Sequence, residues 1–190
     1  MITLRRARPG DAVAIGAVHV AVWRNSYPGL VPDDYLAGLS VPRQAAHYES
    51  IIRGGGGGIY VATASGLDVP NGGSARIVGF VTAVRARAGA MADPRLGDGE
   101  IETLYVLDDW RERGIGRRLM RAAANSLAES GCRSVYLWVL RDNPSRWFYR
   151  RLGGEAVAES PISVAGRPLV QTAFAWDPID KLLQASPLAS

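Results

Sequence analysis

The chain has 190 residues, of which 47% are hydrophobic and 21% charged, a composition typical of one soluble globular domain and not of a disordered chain. Its formal net charge is only +4, but residues 111–151 hold ten arginines against three acidic residues, a net charge of +7. The positive charge is therefore concentrated in one region, which argues against an evenly basic protein.

The residue counts also argue against metal, disulfide and membrane functions. Cys132 is a single cysteine, so an internal disulfide or a multi-cysteine zinc cluster is excluded. The two histidines, His19 and His47, lack a metal-ligand spacing, and we expect no metal. No segment reaches the ~18 apolar residues of a membrane span, and residues 12–23 lack the uninterrupted apolar core of a signal peptide. We expect a cytoplasmic protein with no membrane partner.

The first half of the chain is predicted to begin with a strand and to continue mainly with helices. Periodicity predicts a strand over 2–7, helices over 11–23, 32–39 and 43–53, and strands over 59–63 and 75–86. Asp11 stands at the N-cap position of the first helix. The five glycines at 54–58 predict a flexible connector, with a ligand loop as the alternative. A Pro-Asn-Gly-Gly sequence at 70–73 predicts the turn between the two strands.

The second half alternates strands with helices. We predict a loop over 87–99, strands over 100–106, 134–140, 155–159 and 169–176, and helices over 114–129 and 144–152. The strand at 134–140 is apolar on both faces, as expected of a central strand covered by helices on each side. The pattern favours an α/β (α+β) domain over residues 1–176, with 177–190 as a loosely held tail.

The most informative segment joins the strand at 100–106 to the helix at 114–129. It reads Arg111-Glu112-Arg113-Gly114-Ile115-Gly116-Arg117-Arg118. Glycine lets the backbone approach a ligand closely, and a helix start presents unpaired N–H groups at the positive end of its dipole. The segment therefore predicts a phosphate or pyrophosphate site surrounded by four mobile arginines. It lacks both the P-loop pattern and the Gly-x-Gly-x-x-Gly of dinucleotide-binding domains.

The pattern Arg111-x-x-Gly114-x-Gly116, directly after a Leu-Tyr-Val strand, resembles the acyl-coenzyme-A signature of the GNAT superfamily of N-acetyltransferases. The resemblance extends over residues 2–176. It implies the GNAT fold, a mixed, mostly antiparallel central sheet flanked by helices, with acetyl-CoA as co-substrate. The strand backbone would hold the pantetheine arm and the turn the pyrophosphate. The expected coenzyme-binding residues are Leu104, Tyr105, Val106, Arg111, Glu112, Arg113, Gly114, Ile115, Gly116, Arg117 and Asn143.

A second motif, Asn-Pro-Ser-Arg-Trp-Phe-Tyr at 143–149, resembles the family's Asn-x-x-Ala-x-x-Phe-Tyr. The resemblance implies that Asn143 binds the coenzyme arm and that Tyr149 protonates the leaving thiolate, since a phenol keeps its proton at pH 7. One residue is missing between the two, which rotates Tyr149 by ~100° unless the helix begins later. Gly154 replaces the usual aromatic residue. The alternative is that Tyr149 is only a core aromatic.

Two glutamates on the strand, Glu100 and Glu102, are candidates for the general base. Alternation places them on one face with Leu104 and Val106, with the carboxylates about 7 Å apart. An amine with a pKa near 10 is protonated at pH 7, and a carboxylate can remove that proton directly or through water. The resemblance assigns this role to Glu102, with Glu100 as the alternate. Orienting the substrate is the other interpretation.

The first helices carry an aromatic pattern through His19, Trp23 and Tyr27 that also recurs in bacterial members of this family. The resemblance implies that this segment walls the acceptor site, so Trp23 and Tyr27 are expected to contact the substrate by cation–π interaction. Aromatic residues at helical spacing also fit a core. Asp33 and Asp34 lie nearby in the sequence and, with the glutamates, favour a cationic acceptor.

The sequence therefore predicts an N-acetyltransferase that moves an acetyl group from acetyl-CoA to a primary amine of a small molecule or peptide. The transfer is expected to be direct, within a ternary complex. The alternative is a non-catalytic GNAT-like module that senses acyl-CoA or contacts nucleic acid through residues 111–151. Against nucleic acid, the charge surrounds a glycine turn and is not interleaved with aromatic residues. A homodimer is left open.

Overall fold

The computed structural model describes residues 1–55, 58–66, 75–86 and 96–186, and these form a seven-stranded sheet. The strands are β1 (Ile2–Arg6), β2 (Gly58–Ala64), β3 (Arg76–Arg85), β4 (Gly99–Val106), β5 (Val135–Leu140), β6 (Glu155–Val164) and β7 (Arg167–Trp176). Their order in the sheet is β1-β2-β3-β4-β5-β7-β6. Neighbouring strands are antiparallel except β4 and β5, which are parallel. The predicted mixed, mostly antiparallel sheet is confirmed.

Helices cover both faces of the sheet. They are α1 (Ala12–Ser26), α2 (Asp33–Ala37), α3 (Val41–Gly54), α4 (Ile115–Glu129), α5 (Arg146–Arg151) and α6 (Asp180–Ala185). One core lies between α1, α3 and strands β2 and β3. A second core lies on the other face beneath α4, whose residues Ile115, Leu119, Ala123 and Leu127 are buried at the predicted helical spacing. Within the described residues, no helix combines the length and the apolarity needed to cross a membrane.

Strands β4 and β5 touch only at one end. Gly99 pairs with Val135 and Glu100 with Tyr136, and no further pair joins the two strands within the described residues. Beyond this point the strands diverge, so residues 101 and 103–106 keep a ladder partner on the β3 side only. An open strand edge presents unpaired N–H and C=O groups. The divergence therefore creates a wedge lined by backbone hydrogen-bonding groups.

The β6–β7 hairpin is longer than predicted. The sequence predicts that β6 ends at Glu159, but the strand continues through Pro161 to Val164. Because β6 is the edge strand of the sheet, a proline without an N–H does not interrupt a ladder there. The hairpin turns at Ala165 and Gly166, which both have positive φ, as two-residue hairpin loops favour.

The end of the chain also differs from the prediction of a loosely held tail. Residues 180–185 form α6, and Leu182 is fully buried against the core beneath α4. The Arg121 guanidinium donates hydrogen bonds to the carbonyls of Leu183, at 2.6 Å, and Ser186, at 2.8 Å. Cationic groups stabilise the carbonyls at a helix C-terminus, so this contact and the apolar side chain fix the segment.

Three predicted connections fall wholly or partly outside the described residues. These are the centre of the glycine run at 56–57, the turn at 70–73, and residues 87–95 of the predicted loop. Residues 187–190 of the predicted tail also lie outside them.

Candidate active site

The diverging ends of β4 and β5 bound a cavity of about 900 Å³. Its wall also includes residues of α1, α5, the β6–β7 hairpin and the turn before α4. The predicted site residues in this wall are Trp23, Tyr27, Glu102, Leu104, Tyr105, Val106, Arg111, Glu112, Gly114, Ile115, Gly116, Arg117, Asn143 and Tyr149. Two predicted site residues, Glu100 and Arg113, are not part of the wall. The wedge thus gathers both motifs and both helical aromatics around one space.

The first turn of α4 is open to this cavity. Gly114 precedes the helix with φ of +73°, and no side chain caps the helix start. The first hydrogen bond of the helix runs from the Arg118 N–H to the Gly114 carbonyl, at 3.1 Å. The N–H groups of Ile115, Gly116 and Arg117 precede it and have no intrahelical partner. They are three donors at the positive end of a helix dipole, which is an arrangement that binds anions.

The two glycines of the turn are needed for different reasons. Gly114 has open space around it, but its positive φ strains any residue with a Cβ atom. Gly116 has ordinary helical geometry, but a Cβ atom there would lie 3.3 Å from Cζ of Phe148. Its hydrogen lets the α5 aromatic ring sit directly against the start of α4. The backbone conformation therefore requires glycine at position 114, and packing against Phe148 requires it at position 116.

The arginines of the turn are less mobile than predicted. The Arg111 guanidinium lies 2.8 Å from Oδ1 of Asp108 and donates a 2.8 Å hydrogen bond to Oγ of Ser26. Arg118 turns away and donates to the Ile2 carbonyl at 3.2 Å. Arg113 stacks on the Trp110 ring with Cζ 4.8 Å from the centroid. Side-chain hydrogen bonds and stacking therefore hold three of the four cations, and Arg117 is exposed in the cavity wall.

Strand β4 carries a β-bulge in the middle of the cavity wall. Glu102 is skipped in the pairing of β4 with β3: Thr103 pairs with Thr82, and Ile101 pairs with the next β3 residue, Ala83. A bulge inverts the alternation of the residues beyond it. As a result, Leu104 and Val106 pack toward the core beneath α4, on the side of Ile101. The prediction that Glu100 and Glu102 share a face with these two apolar residues is wrong for this reason.

The two glutamates occupy different surroundings. Oε2 of Glu100 accepts a 2.8 Å hydrogen bond from the Tyr136 hydroxyl, and the residue lies outside the cavity wall. Burial, together with the nearby charges of Glu100 and Glu102, raises the pKa of Tyr136. Glu102 is exposed and forms part of the wall. Of the two carboxylates, only that of Glu102 can meet a molecule in the cavity.

Tyr149 reaches the cavity because α5 begins late. Residues 143–145 form a turn in which Oδ1 of Asn143 accepts a 2.9 Å hydrogen bond from the Ser145 N–H, and α5 starts at Arg146 and not at 144 as predicted. The late start compensates for the residue missing from the motif. Burial and the neighbouring Tyr27 raise the pKa of the Tyr149 phenol. Among the described residues, none accepts a hydrogen bond from its hydroxyl.

Asn143 and the aromatic residues of α1 form one connected wall. Nδ2 of Asn143 lies 3.5 Å from the Tyr27 hydroxyl, and the Tyr27 ring stacks on Trp23 at 4.5 Å. The Trp23 indole N–H donates a 2.8 Å hydrogen bond to the Tyr105 hydroxyl on β4. Burial lowers the pKa of His19, the next ring in the stack, to about 4, so this ring is neutral at pH 7. These hydrogen bonds and stacked rings therefore join uncharged side chains into one wall.

Gly154 departs from the family pattern because Trp176 fills its space. A Cβ atom at Gly154 would lie 2.7 Å from Cζ2 of Trp176, an aromatic residue from the end of β7. The Trp176 ring is fully buried, and its indole N–H donates a 2.7 Å hydrogen bond to the Leu152 carbonyl. An aromatic side chain thus packs behind α5, although it comes from a later part of the sequence.

Sequence reasoning missed several apolar residues of the cavity wall, among them Trp138, Leu140, Ile162 and Val164. The prediction that helices cover both faces of β5 is wrong for the face that carries Trp138. Leu137 and Val139 belong to the core beneath α4 and also border the cavity, whereas Trp138 and Leu140 line it from the opposite face of the strand. A strand with two apolar faces gives no signal in the sequence that it borders a cavity.

The fold and this cleft are typical of the GNAT class of proteins. Residues 31–154 match the acetyltransferase (GNAT) family. Over 183 residues, 96% of each chain, the protein is 30% identical to an uncharacterized N-acetyltransferase, YuaI, of Bacillus subtilis (strain 168). The chain belongs to the GNAT family of acetyltransferases.

Solved structures show the same fold. A GCN5-related N-acetyltransferase from Rhodopseudomonas palustris superposes with a TM-score of 0.66 at 21% identity, over 92% of this chain and 94% of that chain. The yncA protein of Salmonella typhimurium, solved with its cofactor acetyl-CoA, gives a TM-score of 0.63 at 18% identity, over 93% of both chains. The predicted resemblance to the family is confirmed.

Proposed function

We propose that this protein transfers the acetyl group of acetyl-CoA directly to a primary amine, with Glu102 as general base and Tyr149 as general acid. One observation carries the proposal. A single cavity brings together an uncapped helix start, an open strand edge, a carboxylate and a buried phenol. Membership of the GNAT family and the acetyl-CoA in the Salmonella relative support the choice of co-substrate.

The residues present fit this co-substrate. The three N–H groups in the first turn of α4 would hold the pyrophosphate, and the exposed Arg117 would add one charge-assisted contact. The open edge of β4 at Leu104, Tyr105 and Val106 would pair with the amides of the pantetheine arm, as an added strand pairs with a sheet edge. Acetyl-CoA supplies an activated acetyl thioester, and a β4 N–H directed at its carbonyl would stabilise developing negative charge.

Glu102 would prepare the acceptor. The bulge presents its carboxylate in the cavity wall, where Glu100 does not reach. An alkylammonium with a pKa near 10 is about 0.1% free amine at pH 7. The carboxylate takes one proton from it, directly or through water, and its exposure lets that proton pass to solvent.

Tyr149 would complete the transfer. When the amine nitrogen bonds to the acetyl carbon and the carbon–sulfur bond breaks, a thiolate leaves. A phenol whose pKa is raised by burial keeps its proton throughout the neutral range and can donate it to that sulfur. The hydroxyl is available because no described residue accepts its hydrogen bond.

Several arginines of residues 111–151 are already bound by protein groups, which weakens the nucleic-acid alternative relative to the proposed function. Asp108 and Ser26 hold Arg111, and the backbone carbonyls of Ile2 and Leu183 hold Arg118 and Arg121. A guanidinium directed at a protein carbonyl releases few counterions when a phosphate backbone approaches. A binding assay with duplex and single-stranded oligonucleotides decides the matter, because tight, salt-sensitive binding without acetyl transfer would favour the alternative.

Calorimetric titration with acetyl-CoA tests the co-substrate. We expect saturable binding with a 1:1 stoichiometry and a Kd below about 1 mM, the upper end of ordinary KM values. The first turn of α4 and the β4 edge are both preformed in the fold, so little ordering cost opposes binding. Absence of heat at millimolar ligand, with the protein folded by circular dichroism, would refute the proposed function.

The Glu102→Gln variant tests the base through its pH dependence. We expect kcat/KM to fall about 100-fold or more at pH 7 and much less at pH 10, where the amine is already largely deprotonated. The measurement is the pH profile of acetyl transfer from pH 6 to 10.

Glu100→Gln is the matched control for this variant. It makes the same chemical change on the same strand, outside the cavity wall, and its amide oxygen can still accept from Tyr136. We expect it to retain most of the activity at every pH. A loss at Glu102→Gln that is equal from pH 7 to 10 would show that Glu102 orients the substrate and does not take its proton.

A further inference from the structure

The acceptor side of the cavity is lined by an apolar patch that belongs to neither core. The patch consists of Trp138, Leu140, Ile162 and Val164. All four side chains are only partly buried, and none packs with the core beneath α4 or with the core beneath α1 and α3. Apolar side chains that face a cavity are stabilised when an apolar group displaces water from them. The patch therefore favours a ligand with an apolar part.

Small residues on the neighbouring strands make room for this patch. Trp138 pairs across the β5–β7 ladder with Ala173, and Ala173 pairs in turn with Ala158 on β6. Larger side chains at these two alanines would cover the face that carries the indole. Among the described residues, none accepts a hydrogen bond from the Trp138 indole N–H. The ring is thus exposed to the cavity with one free donor.

The charges of the cavity are divided between its two sides. The charged residues in the wall are Glu102, Arg111, Glu112, Arg117 and Arg151. All except Glu102 belong to the turn before α4, to the first turn of α4 or to α5, where the coenzyme is proposed to bind. Asp33 and Asp34, predicted to favour a cationic acceptor, are exposed on α2 and are not part of the wall. Beside the apolar patch, Glu102 is the one charged group that the described wall presents.

We infer that the acceptor is a primary amine carried on an apolar, aromatic group, such as an arylalkylamine, and that Trp138 sets this specificity. The inference rests on the proposed function, because Glu102 must meet the amine. One carboxylate suits one ammonium group, and the described part of the wall holds no second carboxylate beside the patch for another cation. Within the same described residues, a carboxylate on the acceptor meets no cation beside the patch and is repelled by the charge of Glu102. The ring of Trp138 can stack on an aromatic acceptor, and Tyr27, the last ring of the stack on α1, can contact it from the opposite wall.

The experiment compares acceptors of different chemistry in two ways. Release of coenzyme A from acetyl-CoA is measured with 2-phenylethylamine, hexylamine, spermidine and glutamate. In parallel, calorimetry measures the binding of each amine to the protein saturated with coenzyme A, which cannot donate an acetyl group. We expect kcat/KM and affinity to be at least ~10-fold higher for 2-phenylethylamine than for spermidine or glutamate, with hexylamine between them.

Variants of Trp138 locate the specificity. Trp138→Ala is expected to raise the KM for 2-phenylethylamine ~10-fold with little change in kcat, whereas Trp138→Phe restores most of the affinity. Trp147→Ala is the matched control. It removes the same ring from a site that is 47% exposed on α5 and lies outside the cavity wall, and we expect changes within about twofold.

The outcomes separate this inference from the proposed function. Faster transfer to spermidine or glutamate, or an equal loss for all amines in Trp138→Ala, overturns the inference and leaves the acetyltransferase in place. Absence of transfer to every amine overturns the proposed function. The inference on acceptor chemistry then still stands if 2-phenylethylamine binds and Trp138→Ala weakens that binding, and it falls if no amine binds.

Discussion

Replacing Tyr149 with phenylalanine is expected to lower kcat by about 100-fold or more, while the Kd for acetyl-CoA changes by no more than about twofold. The phenol is the donor proposed to protonate the leaving thiolate, and the variant removes only its hydroxyl. The ring remains packed between Phe148 and Phe174, so the fold is kept. Steady-state kinetics and calorimetry on the same preparation measure the two quantities.

The pH profile of acetyl transfer by the wild-type protein gives a second test of Tyr149. Burial and the neighbouring Tyr27 raise the pKa of this phenol above its ordinary value of 10. The acid form is fully present below that pKa, so kcat is expected to show no alkaline decline up to about pH 10. Tyr35→Phe, a residue on α2 that is 37% exposed, is the control. An unchanged kcat in Tyr149→Phe would remove the phenol from the mechanism.

The Gly116→Val variant is expected to raise the Kd for acetyl-CoA by about 100-fold or more, a loss of ~2.7 kcal/mol in binding free energy. A side chain at this position stands among the three free N–H groups of α4 and displaces the Phe148 ring, which lies 3.3 Å from the Cβ position. Arg117→Ala is expected to raise the Kd only about 10-fold, because it removes one exposed contact to phosphate. Calorimetry compares the two variants.

Gly54→Val is the matched control for this substitution. Gly54 is the last residue of α3, and a Cβ atom there meets no heavy atom within 4 Å. We expect the control to bind acetyl-CoA like the wild type and both valine variants to retain the circular dichroism of the native fold. A folded Gly116→Val protein with an unchanged Kd would place the phosphate site elsewhere.

The sequence was sufficient to predict those parts of the molecule that are determined by neighbouring residues, such as the apolar spacing of a helix or a short motif. The buried stripe of α4 is visible in the spacing of Ile115, Leu119 and Ala123, and the glycine turn before it is visible as a motif. Asn143 and Tyr149 were named from a second motif, and both lie in the cavity wall. Their roles in binding and catalysis remain predictions.

Features that depend on tertiary contacts could not be predicted from the sequence. The bulge at Glu102 exists because β4 and β3 pair out of step by one residue, which alternation within β4 does not reveal. The C-terminal segment is ordered by Arg121, a residue about sixty positions earlier in the chain. The exposure of Trp138 to the cavity depends on where β4 ends its pairing with β5. Each of these outcomes is decided by a partner that is distant in sequence.

The contact between β4 and β5 is the narrow end of the cavity, and the two strands open away from it. Two residue pairs and the Tyr136–Glu100 hydrogen bond join the strands there within the described residues. Val106 lies six residues beyond the last pair, about 20 Å away at the rise of a strand. A change of about 3° in the angle between the strands would therefore move Val106 by about 1 Å relative to β5, a displacement that can cost ~100-fold in rate at a reacting centre. Residues that touch neither proposed reactant can thus affect the rate through the angle at which the strands open.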